Sequence, residues 1–273
     1  VTGKKSYLLA ASGCTFDGRY EMLKAAVKQG SLDYVFIDTA IFSLTKVMSN
    51  FDLDKRVLYY SRISGIDNQI STAFRKFSFM DDEFDQLYAE KLYEGLNAWQ
   101  WIADGEYDVR YLMRGYDPQG CTSQILSSEE AAETFNQDNI KTRFRDENIE
   151  SLKNIISLCR ENDITPVLIT IPLSERYLWQ YDGWDEFHDL MTDFVSKENV
   201  YYLDFNLLKN RQSYLQDDVS FRDEEHLCDE GVKMFSRVLG MIINSLYEDR
   251  EPAFEFYDSY EDAKANGTYG AYY

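Results

Sequence analysis

The spacing of apolar residues along the chain switches between two periods. Tyr7-Leu8-Leu9-Ala10-Ala11 is a short continuous apolar run that stops at Ser12-Gly13. Runs of this kind form strands buried on both faces. Residues 19–29 take up helical spacing, with Met22, Leu23, Ala26 and Val27 on one face and Gly30 as a natural stop. Tyr34-Val35-Phe36-Ile37 predicts a second buried strand. Strand, helix and strand in close succession make one βαβ unit.

Between 46 and 130 the alternation breaks. Phe84, Leu87, Tyr88, Leu92, Leu96 and Trp99 recur at helical spacing and predict a long helix over 81–104. Tyr59, Tyr60, Phe74, Phe77, Phe79 and Trp101 surround it. This stretch reads as a mostly helical insertion, a candidate cap, whose aromatic residues pack mainly into its own core.

The rhythm returns after 141. Ile149, Leu152, Ile155, Ile156 and Cys159 share a helical face, and the apolar run 166–172, bounded by Pro166 and Pro172, predicts a buried strand. Trp184, Phe187, Leu190, Met191, Phe194 and Val195 mark another helix, Val200-Tyr201-Tyr202-Leu203 the next strand, and 229–246 a final helix. Beyond 248 the chain is acidic and aromatic without a helical or strand period. The expected organisation is one α/β domain over 1–248 carrying the 46–130 insertion, followed by a tail over 249–273. Alternating strands and helices imply a mostly parallel sheet with helices on both faces, and such sheets hold their sites at the carboxyl ends of the strands.

Composition narrows the function. The 273 residues carry 48 acidic against 28 basic side chains, a formal charge of −20. That field repels phosphate backbones, so no nucleic-acid partner is expected. No stretch is long and apolar enough for a transmembrane helix. No signal peptide opens the chain. Val1-Thr2-Gly3-Lys4-Lys5 leads straight into the first apolar run, as in a start inside a longer polypeptide. The four cysteines, Cys14, Cys121, Cys159 and Cys228, include no CxxC pair. No cofactor and no metal are expected, because neither a histidine cluster nor a spaced carboxylate motif occurs.

Only two histidines are present. His188 falls within an amphipathic helix between Phe187 and Leu190 and reads as a partly exposed structural residue. His226 lies in a polar segment ahead of the last helix, three residues after Asp223. Positions i and i+3 lie side by side in a turn. Asp223 can then fix one ring nitrogen of His226 and leave the other free, as acyl-transfer chemistry requires of a base and its orienting acid. An isolated Asp-x-x-His arises by chance in so acidic a chain, so the surrounding residues carry the meaning.

Those surroundings run Asp223-Glu224-Glu225-His226-Leu227, then Gly231, then Phe235-Ser236 and Leu239. This block resembles the last block of the SGNH/GDSL hydrolase superfamily. The strands at 166–172 and 200–205 fall in the family's order, and the resemblance covers roughly residues 5–45 and 145–246. It is nearest to bacterial extracytoplasmic branches, including those tied to acylation of cell-surface polysaccharides. The resemblance implies a three-layer α/β/α fold of the SGNH/flavodoxin-like kind. It also implies a serine esterase or acyltransferase acting on an ester of a carbohydrate or small polar molecule. His226 would be the general base and acid, and Asp223 its orienting acid.

The family's nucleophile block admits two alignments here. In one, Ser12 is the nucleophile after the first strand. In the other, Ser12-Gly13 closes the second block, Gly13 supplies the oxyanion N–H, and the nucleophile strand precedes Val1. The family's third-block Asn is absent after Ile37, where the chain reads Asp38-Thr39-Ala40-Ile41-Phe42-Ser43. Losing one such donor costs about 10²–10³ in rate. Thr39 and Ser43 are the hydroxyls available to replace it. Cys14 and Thr15 are further nucleophile candidates, although a small buried Cys is the simpler reading of Cys14. The departures also leave open a catalytically impaired protein of the same fold that binds a cell-surface glycan or a partner protein.

Overall fold

The computed structural model describes residues 14–39, 144–180, 183–223, 225–251 and 254–266, together with Ser61, Gly65, Asn68, Ser71 and Thr72. The expected strand at 7–11 and the expected helix at 81–104 lie outside the described residues. Helix α1, Phe16–Gln29, starts where Thr15 Oγ1 accepts the Gly18 N–H at 3.2 Å, with Asp17 in its first turn and Lys28 in its last. These charges complement the helix dipole. The chain then enters β1, Tyr34–Asp38.

Helix α2, Asp146–Glu161, buries Leu152, Ile155, Ile156 and Cys159. It leads through Asp163, at positive φ, into β2, Thr165–Thr170. Helices α3, Glu175–Gln180, and α4, Trp184–Glu198, precede β3, Tyr201–Asp204. Short 3-10 turns at Phe205–Leu207 and Arg211–Ser213 and helix α5, Asp217–Ser220, carry the chain to α6, Asp229–Tyr247. Helix α7, Tyr260–Asn266, is the last described element.

The three strands form one parallel sheet in the order β1-β2-β3, with Ile37 opposite Leu168 and Leu168 opposite Tyr202. This is the α/β architecture expected from the alternating pattern. Strand side chains alternate between faces, and the apolar clusters divide by that parity. Val35, Ile37, Leu168 and Tyr202 join residues of α1, α2, α3, α4 and α7. Tyr34, Phe36, Val167, Ile169 and Leu203 join Phe235, Val238, Leu239 and Ile242 of α6. Strand β2 is buried from its second residue to its last, as a central parallel strand must be. No helix among the described residues is long and apolar enough to cross a membrane.

The tail, whose sequence shows no helical or strand period, is tied to the domain at several points. Leu208 and Phe256 form an antiparallel bridge, flanked by Lys209 N–H to Glu255 O at 2.9 Å and Tyr257 N–H to Leu207 O at 2.8 Å. Asp185 Oδ1 accepts the Tyr260 N–H at 2.7 Å and so holds the start of α7 to α4. Tyr260 and Ala263 are core residues. Part of the expected insertion docks on α1. Buried Glu21 accepts from Asn68 Nδ2 at 2.7 Å, and Asn68 Nδ2 also donates to Ser61 O at 2.9 Å.

Gly231, in the first turn of α6, has a packing reason to be glycine. A Cβ there would lie 1.9 Å from Ser220 O and 2.9 Å from Leu227 Cδ2. Alanine would add about 1 kcal/mol of helix propensity. It would also push away a carbonyl that accepts the Cys228 N–H at 3.0 Å, and overpacking of this kind costs about 1–3 kcal/mol or more. Gly231→Ala is therefore expected to lower stability in urea unfolding, whereas Gly30→Ala, with nothing within 4 Å of its new methyl, is expected to be near neutral.

Candidate functional site

The segment linking β3 to α6 is fastened to the segment linking β2 to α3. Leu173 N–H donates to Asn206 Oδ1 at 2.8 Å, and Glu175 N–H donates to Asp217 Oδ1 at 2.8 Å. The buried Arg211 guanidinium donates through Nη2 to Leu173 O and faces the Phe221 ring at 5.8 Å. Both segments leave the carboxyl ends of adjacent strands. The loop 221–227 that they support therefore lies on the side where parallel sheets place their sites.

That loop is closed at its base by an antiparallel bridge between Phe221 and Leu227, with Arg222 N–H bonding His226 O at 2.8 Å. Phe221 and Cys228 at the base are fully buried, while the His226 side chain is 70% exposed. Asp223 Oδ1 accepts the Glu225 N–H at 3.0 Å and the His226 N–H at 2.8 Å, and lies 2.8 Å from His226 Nδ1. The i, i+3 spacing thus brings the predicted acid and histidine together. When Nδ1–H donates to Asp223, the Nε2 lone pair is free to accept a proton.

Ser12, Gly13 and Ser43 lie outside the described residues. Thr39, one of the two candidate replacement donors, is buried, with its hydroxyl 3.0 Å from Ile169 O and 3.3 Å from Thr170 Oγ1. Thr15 Oγ1 serves as the α1 N-cap. Cys14 is buried, with its Sγ 3.7 Å from Thr15 O. Cys159 is buried too, and burial pushes its thiol up to about 11, which keeps it unreactive.

A second Asp–His pair lies at the end of β3. His188, read from sequence as a structural helix residue, points Nδ1 at Asp204 Oδ2, 3.4 Å away, with the side chains 16% and 2% exposed. The approach is close enough for an ion pair, but Nδ1 is buried without a hydrogen-bond partner. Asp204 is instead satisfied by the Asn206 N–H at 3.0 Å and by Tyr260 Oη at 2.9 Å, with Tyr202 Oη at 3.4 Å. Tyr202 Oη also meets Thr170 Oγ1 at 2.9 Å, and Thr170 Oγ1 lies 3.3 Å from Thr39 Oγ1. Nothing in the spacing of these residues signals their meeting. Among the described residues, no three His, Cys, Asp or Glu side chains group as a metal site.

Burial first, and the Asp204 charge second, raise the Tyr260 and Tyr202 phenols well above their ordinary 10.0. The folded chain then keeps protons that the unfolded chain releases, so the contribution of these two phenols to stability is constant below about pH 10 and falls as pH rises further. An alkaline titration followed by circular dichroism is expected to show unfolding beginning above about pH 10. A thermal midpoint that stays constant through that range would contradict the assignment.

No family model matches the chain, and no curated protein matches it.

Proposed function

We propose that the protein is an SGNH-like serine esterase or O-acyltransferase acting on an ester of a carbohydrate or other small polar molecule. The observation that carries this reading is the 2.8 Å contact of His226 Nδ1 with Asp223 Oδ1, on a loop at the carboxyl side of a parallel sheet and directly ahead of α6. The two apolar clusters on opposite faces of the sheet support the three-layer α/β/α form of that fold. The formal charge of −20 favours a neutral or cationic substrate over an anionic one.

In this reading His226 Nε2 takes the proton of a serine hydroxyl as its oxygen attacks the acyl carbon. Asp223 stabilises the resulting imidazolium, which returns the proton to the leaving alkoxide. Water or an acceptor hydroxyl then repeats the sequence on the acyl-enzyme and frees the serine. Ser12 is the nucleophile in the first-block alignment and flanks the oxyanion site in the second, and Gly13 donates its N–H to the oxyanion. Cys228 is disulfide-bonded, which supports an extracytoplasmic location, where disulfides persist.

One observation favours the impaired-enzyme reading, in which the same cleft binds a glycan or partner protein. The Thr39 hydroxyl is already engaged by Ile169 O, so it does not supply the donor that the third block lacks.

Hydrolysis of p-nitrophenyl acetate by the wild type is expected to fall about 10²–10⁴-fold in His226→Ala. Equal rates in the two proteins would remove His226 from the mechanism. A fluorophosphonate adduct on Ser12 would assign the nucleophile. The absence of any adduct, together with absent hydrolysis, would favour the binding module.

A further inference from the structure

The His226 side chain is 70% exposed, yet the side chain just before it is anchored in the core. Glu225 Oε1 accepts a hydrogen bond from Tyr177 Oη at 2.8 Å. Tyr177 is completely buried on α3, with its ring 6.1 Å from that of Trp184. Its backbone is also fixed, because its N–H reaches Ser174 Oγ at 3.2 Å and the neighbouring Glu175 N–H is held by Asp217 at 2.8 Å. The phenol oxygen is thus a fixed point of attachment beneath the loop.

We propose that Tyr177 is a positioning residue for the Asp223–His226 pair, acting through Glu225. The proposal rests on the reading of His226 as the base. Asp223 Oδ1 is shared by the Glu225 N–H, the His226 N–H and His226 Nδ1. The orientation of that carboxylate therefore depends on where the Glu225 backbone lies, and the Tyr177 bond fixes Glu225 from its side-chain end. An exposed charged pair alone gains little free energy and does not hold two side chains in one geometry. A phenol–carboxylate hydrogen bond is charge-assisted and stronger than a neutral one, and its donor here is immobilised by packing. A positioning role differs from a purely structural one. If the phenol merely satisfied its own hydroxyl, its loss would lower stability and leave His226 unchanged.

The test is Tyr177→Phe in the full chain, which removes the hydroxyl and keeps the ring. The imidazole nitrogen NMR signals give the His226 tautomer directly, and with only two histidines in the chain His226→Ala assigns them. The wild type is expected to show one tautomer at His226 with the proton on Nδ1, and Tyr177→Phe a mixture. On p-nitrophenyl acetate, kcat is expected to fall about 10-fold with KM within about twofold. Glu225→Ala is expected to match it, Glu225→Gln to recover most of the rate, and the double variant to lose no more than either single one. An unchanged His226 spectrum and kcat with a lower melting temperature would overturn the proposal. If Tyr177→Phe fails to fold, Glu225→Ala carries the same comparison from the loop side. If the wild type shows no hydrolysis, the functional reading fails, and the tautomer comparison still decides the positioning.

Discussion

A carboxylate can be taken out of water only where other groups replace its hydration, and Asp204 is taken almost entirely out of water. Its replacements come from several elements. The Asn206 N–H turns the chain out of β3, Tyr260 brings in α7, Tyr202 comes from β3 itself, and His188 approaches from α4. The carboxyl end of the sheet is organised around this one charge. Through Tyr260 it also helps to hold the start of α7. Through Tyr202 and Thr170 it extends across the sheet to Thr39 at the end of β1. The two Asp–His pairs consequently do different work. Asp204 is saturated and enclosed, so His188 faces a carboxylate already occupied by phenols. Asp223 lies at the surface, and His226 keeps one ring edge open.

Much of the fold was legible because burial imposes period. Strand β2 stands out as a continuous apolar run because both of its faces are covered. Helices α2, α4 and α6 stand out because each presents one apolar stripe to the sheet. The Asp223–His226 pair was legible because it is local, and a three-residue spacing in a turn fixes proximity. The Asp204 cluster was not. Asp204, His188 and Tyr260 meet only through the fold, and an aspartate among 48 acidic residues carries no mark of being buried. Helix α7, at seven residues, is too short for a helical period to declare itself. Thr39 shows the converse limit. Sequence offers a hydroxyl after β1, and only the fold shows that it is buried against the backbone of the neighbouring strand.

The 221–227 loop joins a buried base to an exposed His226 side chain. Phe221, Cys228 and the Arg211 guanidinium beneath the loop are all buried. The loop is therefore not a free excursion between α5 and α6 but the upper surface of a packed layer. That layer also includes the start of α3, because Asp217 and Tyr177 tie the two connections together.

The contact at Gly231 has a steric consequence. Ser220 O lies where a Cβ would have to lie, and α6 is itself packed on the sheet through Phe235, Val238 and Ile242. The base of the 221–227 connection therefore meets the helix that follows it at a separation that only a residue without a side chain allows.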